Sequence, residues 1–128
     1  MTIRTAPLWI LLALLVSCTH RPAIVLTEAD DRRTVAIDAG ETLEVRLASN
    51  PTTGYRWALA RPVEHLDLVG GNARFEPPAT ALPGAGGHEI FLFRAKTAGR
   101  AAIELRYART WETEAAPARV YRLTVDVR

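Results

Sequence analysis

The chain has 128 residues, enough for one domain and a targeting peptide, and its 48% hydrophobic and 23% charged content excludes a disordered polymer. Sixteen basic residues against 14 acidic ones leave a formal charge of +2, and they are scattered rather than clustered, so the charge gives no support to a nucleic-acid partner. No internal repeat or low-complexity tract divides the chain.

Met1–Ser17 carries Arg4 in a short polar start and then the apolar run Ala6–Val16. That run is shorter than the roughly 20 residues a membrane-spanning helix needs, and it suits the apolar region of a secretory signal. It ends in Leu15-Val16-Ser17-Cys18, which resembles the bacterial lipobox, where small residues precede a cysteine that is acylated on sulfur and becomes the mature N-terminus. The resemblance implies a signal peptide over residues 1–17 and a lipid on Cys18. Because Cys18 is the only cysteine, it also implies a mature domain without disulfides or thiol chemistry in an oxidising compartment. The plainer alternative is a buried cysteine behind an ordinary signal peptide. Thr19 stands where an aspartate would signal inner-membrane retention in Gram-negative bacteria. The implied location is therefore the cell envelope, lipid-anchored, at the outer membrane or in the periplasm of a Gram-negative bacterium. Residues 18–32 read as the lipidated N-terminus and tether, with Ala23-Ile24-Val25-Leu26 available as a first edge strand.

From Arg33 the pattern changes to short strands between turn signals, which sets the folded domain at 33–128. Val35 and Ile37 alternate before Asp38-Ala39-Gly40, and Leu43, Val45 and Leu47 alternate with Glu44 and Arg46, the period of an antiparallel strand with one buried face. Tyr55, Trp57 and Leu59 share one face of the next strand, and the large Trp57 is expected in the core. Val63–Glu76 reads as a strand bulged or broken around Gly70-Gly71. Pro77 to Gly87 is a loop, stiff with proline at its start and bare with glycine at its end. Glu89–Phe93 is a strand with Phe91 and Phe93 inward, and Ile103, Leu105 and Tyr107 mark another. Ala108–Arg119 is a loop, and Tyr121, Leu123, Val125 and Val127 alternate in the last strand. Seven or eight strands at this spacing predict an all-β, immunoglobulin-like antiparallel β-sandwich.

Asn50-Pro51-Thr52-Thr53-Gly54-Tyr55-Arg56-Trp57 stands apart. Pro51 sets its own φ and holds Asn50 extended, Gly54 admits a positive φ, and the branched threonines between them are stiff. Such a loop is either a turn leading into a core strand or a preformed contact surface. The stretch resembles the central loop motif of the chagasin-type inhibitors of papain-like cysteine proteases. Two further segments match that family in the same order. Gly84-Ala85-Gly86-Gly87 is similar to its Gly-x-Gly-Gly loop, and Arg109-Thr110-Trp111 to its Arg-Pro-Trp loop with threonine in place of proline. The similarity covers roughly Arg33–Arg128. It implies an immunoglobulin-like inhibitor that enters a protease cleft with three neighbouring loops, and protease-binding roles for Asn50, Pro51, Thr52, Thr53, Gly54, Tyr55, Gly84, Gly86, Gly87, Arg109 and Trp111. Thr110 implies a third loop less preorganised than the family pattern.

Catalytic constellations do not assemble from the sequence. His20, His65 and His88 fit no metal-ligand spacing, and no cysteine accompanies them. Ser49 has no base beside it, and the glycine loop is followed by a strand rather than a phosphate-binding helix. The expectation is a monomeric, noncatalytic binder with no cofactor, no metal and no nucleic-acid partner. It would be an inhibitor of a papain-like cysteine protease held to the membrane by an N-terminal lipid anchor. The alternative is a lipid-anchored sandwich that binds a protein or glycan in envelope assembly or adhesion.

Overall fold

A computed structural model describes residues 22, 24–80 and 82–128. Among the described residues nine strands form in chain order: β1 (Ile24–Leu26), β2 (Thr34–Ile37), β3 (Thr42–Ser49), β4 (Tyr55–Leu59), β5 (Leu66–Leu68), β6 (Arg74–Glu76), β7 (Gly87–Ala95), β8 (Gly99–Arg109) and β9 (Arg119–Val127). One sheet runs β1-β3-β7-β5, with β6 also on β7, and the other runs β2-β9-β8-β4. The two pack face to face as the expected all-β sandwich, and no α-helix occurs among the described residues. The count is nine because Val63–Glu76 supplies two short strands, both antiparallel to β7, on either side of Gly70-Gly71.

The inward halves of the alternating strands fill the space between the sheets. Leu43, Val45 and Leu47 of β3 meet Phe91 and Phe93 of β7, Ile103 and Leu105 of β8, and Leu123 and Val125 of β9. Trp57 lies in this core at 5% exposure, its Nε1 donating to the Ala48 carbonyl at 2.9 Å. An indole buried this way closes the gap between the sheets while its one polar atom stays satisfied.

Two edge strands depart from the antiparallel pattern, since β1 pairs with β3 and β2 with β9 in parallel. Leu26 is 1% exposed in the core, so the segment offered as a first edge strand ahead of Arg33 is packed as part of the sandwich. Three residues cannot display a period of two clearly, and burial of Leu26 depends on the free edge of β3 being there to receive it. Residues 1–17 and Cys18 lie outside the described residues.

Strand direction decides what the fold presents. β3 ends at Ser49 opposite Gly87, where β7 starts; β8 ends at Arg109 opposite Tyr55, where β4 starts; and Arg119 opens β9 across from Tyr107. The segments 50–54, 77–86 and 110–118 therefore leave from one pole of the sandwich.

Candidate functional site

The segment after β3 is a 3-10 turn over Pro51–Thr53, and its hydrogen bonds are made almost wholly within itself. The Asn50 side-chain oxygen accepts from the Thr52 amide at 3.3 Å and from Thr52 Oγ1 at 2.6 Å. The Asn50 carbonyl accepts from the Thr53 amide at 3.1 Å and from Thr53 Oγ1 at 2.6 Å. The Gly54 amide closes the turn on the Pro51 carbonyl at 3.0 Å. Pro51 fits because its missing N–H falls at the first turn position. Gly54 takes φ +81°, a left-handed conformation that ends the turn cheaply only without a side chain. Both threonines are exposed.

Side chains from the other two segments lock this turn in place. Asn50 Nδ2 donates to the Gly84 carbonyl at 3.0 Å, which ties the first loop to the second. Arg109 Nε donates to the Thr53 carbonyl at 3.3 Å, which ties it to the third. The Arg109 guanidinium carbon lies 4.7 Å from the Tyr55 ring centroid and 5.9 Å from that of Trp111, and its Nη1 pairs with Glu112 at 3.3 Å. Trp111 lies against Gly54, where an added Cβ would come within 2.2 Å of the indole, yet the residue is 66% exposed. An exposed indole that rests on a glycine keeps its geometry before anything binds it.

The expected residues thus share one rim, but not all on its surface. Thr52, Thr53, Gly84, Gly86 and Trp111 are exposed there. Tyr55 is half-buried and stacks on Tyr107 with ring centroids 5.3 Å apart, so it supports the turn rather than facing outward. Arg109 is the last residue of β8 and not part of a loop from Ala108, and β9 opens at Arg119. Gly87 is buried as the first residue of β7, where a Cβ would meet the Glu76 carbonyl oxygen at 2.2 Å. Glycine is needed at that position by the packing of β6, which leaves Gly84 and Gly86 as the bare backbone of the tip.

Three supporting residues carry no motif that marks them in the sequence. The Tyr107 hydroxyl accepts from the Asn50 amide at 3.1 Å, and its ring lies 5.0 Å from that of Trp57. Glu89, 1% exposed, reaches across from β7 to the outer edge of β4, where it accepts from the Trp57 amide at 2.8 Å and Arg56 Nε at 3.1 Å. Arg119 lies over Trp57 and Tyr107. Glu89 shares strand parity with Phe91 and Phe93, which is a legible sign of an inward carboxylate. No comparable sign exists for Arg119. Among the described residues, no three His, Cys, Asp or Glu side chains gather as a metal site would require.

Known proteins match this chain over most of the sandwich. The family model described as Chagasin family peptidase inhibitor I42 matches residues 36–125. Chagasin from Trypanosoma cruzi is 37% identical over 91 residues, 67% of this chain and 81% of that protein. Amoebiasin-2 from Entamoeba histolytica is 28% identical over 120 residues, 94% of this chain and 98% of its own length. The crystal structure of a cysteine protease inhibitor from Entamoeba histolytica superposes with a TM-score of 0.70 at 26% identity, over 84% of this chain and 100% of that one.

Proposed function

Because the chain belongs to the chagasin family of peptidase inhibitors, we propose that it inhibits papain-like cysteine proteases reversibly and noncovalently by seating its three-loop rim in their active-site cleft. The observation that carries this reading is the direct linkage of the three loops, Asn50 to Gly84, Thr53 to Arg109 and Gly54 to Trp111. A rim ordered before contact loses little freedom on docking, which is what tight, rigid protease–inhibitor interfaces require.

The geometry also supports resistance to cleavage. A protease of this class attacks a carbonyl presented in an extended chain. Here the turn at the centre is not extended, and the carbonyls of Asn50, Pro51 and Thr53 already accept hydrogen bonds inside the rim. Thr52 and Thr53 would cover the catalytic pair without offering it an aligned scissile bond. Exposed backbone at Gly84 and Gly86 would pair with one wall of the cleft as an added strand does, and Trp111 would bury its indole against the other.

Titration of papain and a cathepsin L-like enzyme with the protein tests this directly, with loss of activity at or below micromolar inhibitor as the expected result. Trp111→Ala should weaken inhibition by about 2–4 kcal/mol, the range of an interface hot spot, and Thr53→Glu by at least as much through a buried charge. Both sites are exposed, so thermal midpoints should stay close to wild type. Two variants that inhibit as well as the parent would overturn the three-loop mode.

The anchor is part of the same proposal. An acyl group on Cys18 would hold the monomeric protein at the cell envelope, at the outer membrane or in the periplasm of a Gram-negative bacterium. β1 supports such an arrangement, because Ile24 sits beside Leu43 near the start of β3, whereas the rim begins beyond Ser49 at its far end. The tether would then enter at the pole opposite the rim and leave the loops pointing away from the bilayer. Cys18→Ser should move the protein from the membrane fraction to the soluble periplasm with inhibition unchanged; retention in the membrane would refute the anchor and leave the inhibitor reading intact.

A further inference from the structure

Arg119 is exposed, yet its guanidinium is held on three sides. Its central carbon lies 5.1 Å from the Trp57 ring centroid and 4.8 Å from that of Tyr107, and Nη2 donates to the Ala48 carbonyl at 2.8 Å. Stacking of this kind orders a side chain that would otherwise be among the most mobile on a surface. Other arginines at this end are neutralised, Arg56 by Glu89 and Arg109 by Glu112. Arg119 has no carboxylate in reach among the described residues. Arg94 and Arg128 share that property, but they lie at the opposite pole, across from Thr42 and after the end of β9.

The ordered guanidinium lines a groove with Asn50, Gly86, His88 and Tyr107, beside the Thr52–Thr53 turn and the bare tip of the second loop. A planar fork with donors left over and no internal counter-ion matches a carboxylate, which it can bind through two parallel hydrogen bonds. We propose that this groove receives an acidic side chain from the lip of the protease cleft, and that Arg119 is a specificity-determining residue outside the three loops. The proposal rests on the inhibitor reading given above. Charge complementarity at the edge of such an interface selects among partners and speeds association more than it adds affinity.

The test compares the full chain with its Arg119→Gln, Arg119→Lys and Arg119→Glu variants against papain and a cathepsin L-like protease, at low and high salt. Arg119→Gln should raise Ki about tenfold against at least one of the two enzymes and flatten its salt dependence. Arg119→Glu should raise it further by slowing association, and Arg119→Lys should fall between wild type and the glutamine variant. Thermal midpoints within a few degrees of wild type show that the fold is kept. Glutamine and glutamate variants that match wild type within twofold against both enzymes, or that lose inhibition equally with an unchanged salt slope, would overturn the assignment. Failure of the wild-type chain to inhibit either enzyme would overturn the inhibitor reading first, and this proposal with it.

Discussion

Gly54→Ala is expected to weaken protease inhibition about a hundredfold while the domain stays folded. Two effects combine at that position. The backbone holds φ at +81°, where a Cβ costs on the order of 1 kcal/mol, and the added methyl would lie 2.2 Å from the Trp111 ring, far inside contact distance. The indole is exposed on its other side, so it is the group that gives way, and the third loop is then displaced relative to the first. Loss of a positioned hot spot corresponds to about 2–4 kcal/mol of binding. Gly40→Ala is the matched control, because Gly40 has φ +90°, a methyl added there would meet nothing within 4 Å, and the residue lies in the turn between β2 and β3, away from the rim. It should show similar backbone strain by chemical denaturation and unchanged Ki. Equal inhibition by wild type and Gly54→Ala would mean that contact between Gly54 and Trp111 has no part in the mechanism.

Glu89→Ala is expected to cost about 3–5 kcal/mol of folding free energy, a large share of the roughly 5–15 kcal/mol that a domain possesses. β4 is the last strand of its sheet, so the outward Trp57 amide has no neighbouring strand to pair with. The Glu89 carboxylate supplies that partner from the opposite sheet and binds Arg56 as well. Truncation leaves a buried donor unsatisfied and a cavity beside Trp57. Glu89→Gln retains an acceptor of the same shape and should cost about 1–2 kcal/mol, the difference between a charge-assisted bond and a neutral one. Urea denaturation of both variants measures the gap. Because β4 follows the first loop directly, the alanine variant should also inhibit less well. Equal losses for alanine and glutamine would show that burial of the side chain matters and its hydrogen bonds do not.

The candidate site is legible in the sequence as three separate segments, and less so as one surface. Pro51, the threonines and Gly54 announce a stiff turn because their preferences are local. Gly84-Ala85-Gly86-Gly87 announces bare backbone, yet it cannot tell that Gly87 belongs to a strand, since the obstacle to a side chain there is the carbonyl of Glu76 on a different strand. Arg109 shows the same limit. The family motif marks it as a contact residue, and the motif does not reveal that its position at the end of β8 also makes it a strut between Thr53, Tyr55 and Trp111. The run Ala23–Leu26 is legible as a possible edge strand, but its three strand residues carry too little pattern to show, without β3 beside them, that Leu26 belongs to the core.

The central parts of the longer strands and the conformation of the central turn follow from contiguous residues, because alternation with period two and hydrogen bonds between residues two or three apart are properties of a single segment. Long-range packing brings Thr53, Gly84 and Trp111 together, sets Glu89 at the edge of β4 and holds Arg119 over two rings. Those facts depend on the registers of β3 with β7, β8 with β4 and β8 with β9, and on how the two sheets face each other. Each register is set by the packing of a pair of strands, and neither strand of the pair carries it alone.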